Sequence, residues 1–283
     1  RRMDLGGLFD GCLLVSDIDG TLLHDGIIPD ENIKAVEWFK SEGGIFAIAT
    51  GRAVPAAKYS YELSKSNAPL IALNGGVIYD FENEKFLYEK SLDLRCVDIV
   101  FDILEKFPTV GAEFFNGLDI YLIRGNGGTK QHSEYEHFKF KELPPDFKSM
   151  PWGKVLFAFE DFETLTSVEK YTKSLNVDFC RFIVTATSER ARFFEVLPKG
   201  INKGTAIKEL KRLCKAKYSF GIGDFFNDAE LIRDADYGAA TGAAPEEIKQ
   251  LANYVTCTCE EGAVADFINK ISLFMKGSSV WTR

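Results

Sequence analysis

The chain has 283 residues, 46% of them hydrophobic, so it is long enough for two domains and apolar enough for a sizeable core. Its formal net charge is -8 and no basic block interrupts it, which argues against binding to nucleic acid. No apolar stretch approaches the roughly 20 residues that span a bilayer, and the first residues lack the apolar region of a secretory signal. We therefore expect a globular, cytoplasmic protein that has neither nucleic acid nor a membrane as a partner.

The first 80 residues alternate strand and helix signals. The predicted elements are a strand ending at Asp17, a helix over 29–44, a strand at 45–50, a helix over about 54–66 and a strand at 69–74. Pro29 and Asp30 favour the start of the first helix, and the glycine pair at 43–44 favours its end. Short, nearly continuous apolar strands between helices are typical of a parallel sheet that is covered on both faces.

From Gly75 the pattern changes to antiparallel hairpins and a second set of elements. In order they are a hairpin turning near 82–84, a hairpin turning at 116–117, a polar stretch at 125–153 without a clean period, an apolar strand at 154–160, a helix over about 162–174, and strands near 177–187 and 192–197. This mixture predicts a separate α+β domain.

The first pattern resumes after Gly200. The predicted elements are a helix at 202–214, a strand at 218–224, a helix at 227–235, a strand at 237–241, a helix at 244–253, a strand at 254–258 and a helix at 262–274. We therefore expect one α/β domain built from both ends of the chain, with the second domain inserted. The predicted segments are 1–82, 83–195 and 196–283.

Four polar clusters follow strands of the predicted parallel sheet. They are Asp17 with Asp19; Thr50, Gly51 and Arg52; Asn74 with Gly75 and Gly76; and Gly223, Asp224, Asn227 and Asp228. Each cluster alone is also typical of a turn or a helix cap. Ligands of open α/β sheets bind outside the carboxyl ends of the strands, so the convergence of all four clusters there favours a ligand site.

The acidic members of these clusters indicate a site for a hard metal ion. Asp17, Asp224 and Asp228, with the backbone carbonyl of Asp19, offer only oxygen ligands, which Mg²⁺ prefers. A bound cation also explains how neighbouring carboxylates stay ionised beside one another and beside an anionic substrate. We therefore expect Mg²⁺ as the cofactor.

Donors for an anion follow the same strands. They are the Thr50 hydroxyl, the Gly51 backbone N–H at the start of a helix, and Lys203. A lone lysine is usually a solvated charge, but Lys203 lies between Gly200 and Gly204 and opens the helix that returns to the sheet domain. We expect its amine to reach the site.

Four motifs resemble, in the same order, the signature motifs of the haloacid dehalogenase (HAD) superfamily. They are DIDGTL, TGR, the lysine of NKG, and GDFFND. The inserted domain, together with LNGG at 73–76, resembles the Cof-like sugar phosphatase branch with its C2-type α+β cap. The resemblance implies a doubly wound, mainly parallel Rossmann-like sheet with an inserted cap. It covers roughly 12–80 and 196–270 through the core motifs.

The resemblance also implies a division of roles among the site residues. Asp17 is the expected nucleophile, which forms a phosphoaspartyl intermediate, and Asp19 is the expected general acid and then base. The implied phosphate-binding residues are Thr50, Gly51, Lys203 and Asn227. The implied metal-binding residues are Asp17, Asp19, Asp224 and Asp228. Asp228 would either bind the metal directly or contact the groups that bind it.

The substrate is less well defined by the sequence. Arg52 and Asn74 are expected at the entrance, where they could touch substrate or serve the structure. Polar residues on the cap strands, which include Glu113, Asp119, Arg181 and Thr185, are candidates for selectivity. We expect a phosphatase that acts on a small phosphorylated metabolite, foremost a sugar phosphate, as a monomer or weak homodimer. A phosphomutase of the same architecture and a non-catalytic phosphometabolite sensor are the alternatives.

Overall fold

The computed structural model of the chain describes residues 6–187 and 192–277, and the chain folds into two compact units. Of the described residues, the first unit takes in 6–51, Lys58–Leu87 and 202–277. The second unit holds Arg52–Ala57 and Tyr88–Ile201. The end of the predicted third segment, 278–283, lies outside the described residues.

The described strands, in chain order, are β1 Cys12–Asp17, β2 Ile45–Ala49, β3 Leu70–Ala72, β4 Val77–Asp80, β5 Lys85–Glu89, β6 Gly111–Asn116, β7 Asp119–Arg124, β8 Lys154–Ala158, β9 Cys180–Thr187, β10 Arg192–Pro198, β11 Tyr218–Gly223, β12 Tyr237–Ala240 and β13 Tyr254–Val255. The described α-helices are α1 Asp30–Ser41, α2 Val54–Leu63, α3 Arg95–Lys106, α4 Gly127–Tyr135, α5 Phe162–Ser174, α6 Lys203–Leu213, α7 Ala229–Asp234, α8 Glu246–Lys249 and α9 Ala263–Met275. Single 3₁₀ turns cover Leu73–Gly75, Phe147–Ser149 and Phe226–Asp228.

The larger sheet has eight strands in the order β13-β12-β11-β1-β2-β3-β4-β5. The pairs from β13 to β3 are parallel, and β4 turns back antiparallel to β3. The central strand β1 is buried along its whole length, which explains why its sequence is nearly all apolar up to its last two residues. Both ends of the chain contribute strands to this sheet.

The predicted helix starts and stops are visible in α1. Pro29 precedes its first residue, and Asp30 and Glu31 occupy the first turn, where carboxylates favour the positive end of the helix dipole. Gly43 follows the helix with a φ of 87°, a left-handed conformation that glycine adopts without a steric cost. The left-handed residue Gly43 ends the helix and lets the chain turn into β2.

The smaller sheet has five antiparallel strands in the order β7-β6-β8-β10-β9. One of its faces carries an apolar core that includes Phe114, Phe157 and Phe194 from the strands and Val100 and Val168 from helices α3 and α5. Helices α3 and α5 pack on this face of an antiparallel sheet, which is an α+β arrangement and the class that the sequence of this segment indicates.

The opposite face of this smaller sheet buries charged side chains. The strand registers place Glu113, Leu156 and Glu195 side by side, and Lys154 lies two residues from Leu156 on the same face. Lys154 Nζ lies 2.7 Å from Glu195 Oε1. Both side chains are almost completely buried, so each charge depends on the other to offset its loss of hydration.

A second buried charge cluster joins α4 to β6. His132 Nδ1 lies 2.8 Å from Glu113 Oε2, and its Nε2 lies 3.4 Å from Glu136 Oε2. Burial opposes the positive charge on His132, but Glu136 and Glu113 outweigh it and raise the pKa of the imidazole to about 10. Burial raises the pKa of Glu113, which is one of the polar residues that the sequence offered as candidates for selectivity.

Three features differ from the sequence predictions. Helix α3 is not predicted by the sequence pattern, and α4 lies in the polar stretch at 125–153, which has no clean period. Strand β5 belongs to the larger sheet, so the boundary predicted at 82/83 falls inside a hairpin of that sheet. The units change between Leu87 and Tyr88 and between Ile201 and Asn202.

Within the ranges that the structure describes, no helix is both long and apolar enough to cross a membrane.

We predict that His132→Asn lowers the free energy of unfolding by roughly 2–4 kcal/mol near pH 6, because it removes the buried cation that contacts both Glu113 and Glu136. The pKa of His132 is higher in the folded than in the unfolded chain, so its stabilising contribution is complete below about pH 6.5 and is lost as the pH rises towards 10. The difference between variant and parent should therefore shrink over that range. Urea unfolding at a series of pH values measures it.

The matched control is His24→Asn, since the His24 side chain is 45% exposed. We expect it to change stability by less than about 0.5 kcal/mol at every pH. A stability loss in His132→Asn that is the same at pH 6 and pH 10 would contradict the account of His132 as a buried imidazolium.

Candidate active site

The predicted site residues follow neighbouring strands of the larger sheet. Asp17 is the last residue of β1 and pairs in register with Ala49 of β2. Thr50 follows β2 directly, and Asp224 follows β11, which lies on the other side of β1. Because these strands are parallel, their carboxyl ends meet at one edge of the sheet and bring the three side chains to it.

Lys203 joins two of the predicted carboxylates. Its Nζ lies 2.5 Å from Asp17 Oδ1 and 2.6 Å from Asp228 Oδ1, and its side chain is fully buried. Lys203 is the first residue of α6, whose N-terminus is fixed by a capping box between Asn202 and Thr205. The sequence prediction that this amine reaches the site therefore agrees with its geometry.

Glycine allows α6 to pack closely against α7. A Cβ atom at position 204 would lie 2.4 Å from the Glu230 carbonyl oxygen, which is closer than side-chain atoms approach. The helix that carries Lys203 is thus held against the helix that follows Asp228. Its ammonium group has a fixed position between the two carboxylates.

The site contains three carboxyl groups, those of Asp17, Asp224 and Asp228, and they are largely shielded from water. Burial and then the neighbouring Asp228 raise the pKa of Asp17 well above its usual range, although Lys203 opposes this. Burial and Asp228 also raise the pKa of Asp224, to about 7. Burial disfavours the charge of Lys203, but Asp17 and Asp228 raise its pKa above the usual lysine value. One ammonium group does not neutralise three carboxylates, so a further cation would be stabilised here.

The donor atoms fit such a cation. Asp17, Asp224 and Asp228 each offer one carboxylate oxygen, and these oxygens lie within 4.8 Å of one another. An all-oxygen set of this kind fits a hard divalent ion such as Mg²⁺. Asp228 already has both oxygens engaged, since Oδ1 contacts Lys203 and Oδ2 accepts hydrogen bonds from the backbone N–H groups of Asp224 and Phe225.

Two residues that the sequence did not single out position Asp224. The Thr21 hydroxyl, which is fully buried, donates a hydrogen bond of 3.0 Å to Asp224 Oδ1. Gly20 has a φ of 86°, and a Cβ atom there would lie 2.5 Å from Asp224 Oδ2. The sequence could have drawn attention to both residues, because they directly follow Asp19 in the DIDGTL motif.

The other predicted residues have different surroundings. The Asp19 side chain is exposed, unlike that of Asp17. Thr50 is buried, and its backbone N–H donates to the Ile71 carbonyl. Gly51 does not begin a helix as predicted, because α2 starts only at Val54.

The two residues expected at an entrance are both packed against protein. Asn74 is 2% exposed, and its Oδ1 accepts a hydrogen bond of 3.2 Å from Asn227 Nδ2. Arg52 belongs to the second unit, where its Nε lies 3.9 Å from Glu136 Oε1 and its guanidinium lies 5.7 Å from the centre of the Tyr135 ring. The burial of Asn74 and its hydrogen bond to Asn227 favour the structural role that the sequence left open beside a substrate contact.

Comparison with known proteins identifies the family of the chain. The sequence model of the family described as haloacid dehalogenase-like hydrolase matches residues 14–268. The chain therefore belongs to the haloacid dehalogenase-like hydrolases. Within them it is a Cof-like enzyme, and the predicted class, a phosphatase of the HAD type, is confirmed.

Relatives match over nearly their whole length. The 5-amino-6-(5-phospho-D-ribitylamino)uracil phosphatase YcsE of Bacillus subtilis is 28% identical over 260 residues, which cover 90% of this chain and 94% of the relative. The phosphatase YwpJ of the same organism is 26% identical over 285 residues, which cover 92% and 99%.

Solved structures share the fold. A haloacid dehalogenase-like hydrolase from Bacteroides thetaiotaomicron has a TM-score of 0.76 at 24% identity, with 93% of this chain and 99% of that chain covered. The HAD subclass IIB sugar phosphatase BT4131 has a TM-score of 0.78 at 22% identity, with 92% and 99% covered. The predicted α/β fold class is confirmed.

We predict that Lys203→Met lowers the free energy of unfolding by about 3–5 kcal/mol in a metal-free buffer, because the buried carboxylates lose their lysine partner. Added Mg²⁺ should restore part of this loss. Thermal unfolding with EDTA and with Mg²⁺ measures both effects.

The control is Lys208→Met on the same helix. Lys208 pairs with Asp234 at 3.0 Å but is 60% exposed, so its loss should change stability by less than about 1 kcal/mol. Equal stabilities of Lys203→Met and Lys208→Met would show that the buried ion pairs do not hold the site together.

Proposed function

We propose that the chain is a Mg²⁺-dependent phosphomonoesterase that acts on a small phosphorylated metabolite, foremost a sugar phosphate, through a phosphoaspartyl intermediate. The observation that carries the proposal is the buried Lys203 ammonium between Asp17 and Asp228, beside Asp224 at the carboxyl edge of the sheet. A nucleophile, a fixed positive charge and an excess of carboxylates meet there. Phosphoryl transfer requires mainly such positioning and charge neutralisation.

In the first half of the reaction, an Asp17 carboxylate oxygen attacks phosphorus, and the bond between phosphorus and the ester oxygen breaks. Asp19 gives its proton to the departing alkoxide, which leaves as an alcohol. In the second half, the Asp19 carboxylate takes a proton from water, and the resulting hydroxide attacks the phosphoaspartyl phosphorus. Inorganic phosphate leaves and Asp17 is regenerated. The exposed position of the Asp19 side chain supports this exchange of protons with the leaving group and water.

The residues around Asp17 hold the phosphoryl oxygens. Lys203 supplies the positive charge, and the Thr50 hydroxyl, the Gly51 N–H and the Asn227 amide supply hydrogen-bond donors. Asp17, Asp224 and the Asp19 carbonyl would hold Mg²⁺, which when bound neutralises charge on the transferring group. Asp228 has both oxygens engaged by Lys203 and by backbone N–H groups, which supports a role for it in positioning Lys203 and the loop rather than as a direct ligand.

The names of the similar proteins support a polyhydroxylated substrate. YcsE is named for a substrate whose phosphate is carried on a ribityl chain, and BT4131 is described as a sugar phosphatase. Both descriptions share a phosphate ester on a hydroxylated carbon chain. We therefore propose that class for this chain. Its cytoplasmic location and its state as a monomer or weak homodimer stay predictions.

We predict that the purified chain with Mg²⁺ releases inorganic phosphate from members of a sugar and sugar-alcohol phosphate panel, and that EDTA reduces the rate at least roughly 100-fold. Phosphate release and remaining substrate isomers are measured together. Interconversion of isomers without net phosphate release would instead indicate a phosphomutase. Tight binding of one panel member without turnover would indicate a sensor.

We predict that Asp17→Asn lowers kcat at least roughly 1,000-fold and that Asp19→Asn accumulates the phosphoaspartyl enzyme, because one change removes the nucleophile and the other removes the base for dephosphorylation. Acid quenching after reaction with ³²P-labelled substrate measures protein-bound phosphate. Asp17→Asn should retain none, and Asp19→Asn should retain more than the parent.

Asp25→Asn is the control, since Asp25 lies on a neighbouring turn with its side chain 91% exposed. It should behave as the parent in both measurements. Substantial turnover by Asp17→Asn, or equal labelling of Asp19→Asn and the parent, would sink the assigned roles.

A further inference from the structure

The turn Leu73–Gly75 after β3 has an unusual backbone. Leu73, Asn74 and Gly75 have φ values of 51°, 53° and 100°, so three consecutive residues are left-handed. Such a conformation is costly for residues other than glycine, and above all for a bulky residue such as Leu73. All three residues are buried. Strain of this kind persists only where the surrounding structure imposes it, and it concentrates at functional sites.

The strained turn brings Asn74 against the loop that carries Asn227. Asn74 Oδ1 accepts a hydrogen bond of 3.2 Å from Asn227 Nδ2. An amide nitrogen has two N–H donors, so this contact orients the Asn227 carboxamide and leaves its second donor for another acceptor. Asn227 is one of the proposed phosphate-binding residues, and its orientation is therefore fixed by a residue 153 positions away.

The same residue also contacts the segment that follows β2. The Asn74 backbone N–H donates a hydrogen bond of 3.0 Å to the Thr50 carbonyl. A Cβ atom at Gly51 would lie 3.1 Å from Asn74 Nδ2, so the carboxamide packs directly on this glycine. Asn74 thus touches both segments that are proposed to donate hydrogen bonds to phosphate.

Gly75 extends these contacts to the start of α6. With its φ of 100°, a Cβ atom there would lie 2.3 Å from the Asn202 carbonyl oxygen and 3.2 Å from the Lys203 backbone nitrogen. The turn is therefore in close contact with the residue that supplies the ammonium group. Three phosphate-binding segments, far apart in sequence, meet on one short turn.

We propose that Asn74 is a positioning residue, whose carboxamide holds Asn227 and the Thr50–Gly51 segment in the arrangement that binds the phosphoryl group. This inference rests on the proposed function, and of the two roles that the sequence left open for Asn74 it takes the structural one. Asn74 acts through Asn227, because its side chain is 2% exposed and is hydrogen-bonded to protein.

A competing explanation is that Asn74 serves the backbone alone, since asparagine tolerates left-handed φ values better than most residues. Asn74→Gly separates the two explanations. Glycine keeps the left-handed turn without strain but removes the carboxamide. If only the backbone matters, this variant should bind phosphate as the parent does.

We expect Asn74→Gly to melt within a few degrees of the parent and to bind inorganic phosphate roughly tenfold more weakly in the presence of Mg²⁺, by titration calorimetry. Its kcat/KM for the best panel substrate should fall by a similar factor. Asn74→Asp should weaken phosphate binding further, because it places a carboxylate beside the anion site.

Asn176 supplies the matched control. It also has a left-handed backbone, with φ of 47°, but it is exposed between α5 and β9 in the second unit. Asn176→Gly makes the same chemical change away from the site and should leave phosphate affinity and kcat/KM unchanged.

A double-mutant cycle tests the route through Asn227. In an Asn227→Ala background, Asn74→Gly should weaken phosphate binding by less than twofold, because its main partner is already absent. Parent-like phosphate affinity in Asn74→Gly, multiplicative losses in the double variant, or failure of Asn74→Gly to fold would each overturn the positioning role. Failure of the proposed function is recognised separately, by a parent protein that releases no phosphate from any panel member.

Discussion

The structure of the first unit depends on one buried interaction, the Lys203 ammonium between Asp17 and Asp228. Moving each of these charges out of water costs several kcal/mol, and only close pairing offsets that cost. The lysine lies 186 residues from Asp17 in the sequence, and 25 residues from Asp228. The interaction therefore exists only when both ends of the chain have assembled into one sheet. Assembly of the fold and assembly of the site are the same event.

That interaction also explains the arrangement of small and polar residues around it. Gly204 lets the helix of Lys203 approach its neighbour, the Asn202–Thr205 box fixes the first turn, and Asp228 binds the loop that carries Asp224. None of these residues needs to touch a substrate. Each limits the positions that the three carboxylates and the ammonium group can adopt, which is the preorganisation that charge-stabilising catalysis requires.

Much of this arrangement was predictable from the sequence, because parallel strands have a strong apolar signal and their ends gather polar residues. Helix α3 does carry a sequence signal, because its buried residues, among them Val100 and Ile103, have helical spacing. Helix α4 gave no such signal, because its buried residues, Thr129 and His132, are polar. The DIDGTL motif draws attention to Thr21, but it does not reveal that Asp224 is its partner. The contact of Asn74 with Asn227 was likewise not predictable, since sequence spacing does not show which residues meet in space.

The order of strands in the larger sheet has a consequence for synthesis of the chain. Strand β1 lies between β2, which follows it closely, and β11, whose first residue is Tyr218. At about 5–20 residues per second, a ribosome needs roughly 10–40 s to make the intervening chain. During that time one edge of an apolar strand has no native neighbour, and such edges readily pair with other chains. Strand β1 is thus made before the other strands of its sheet and is among the last of them to be enclosed.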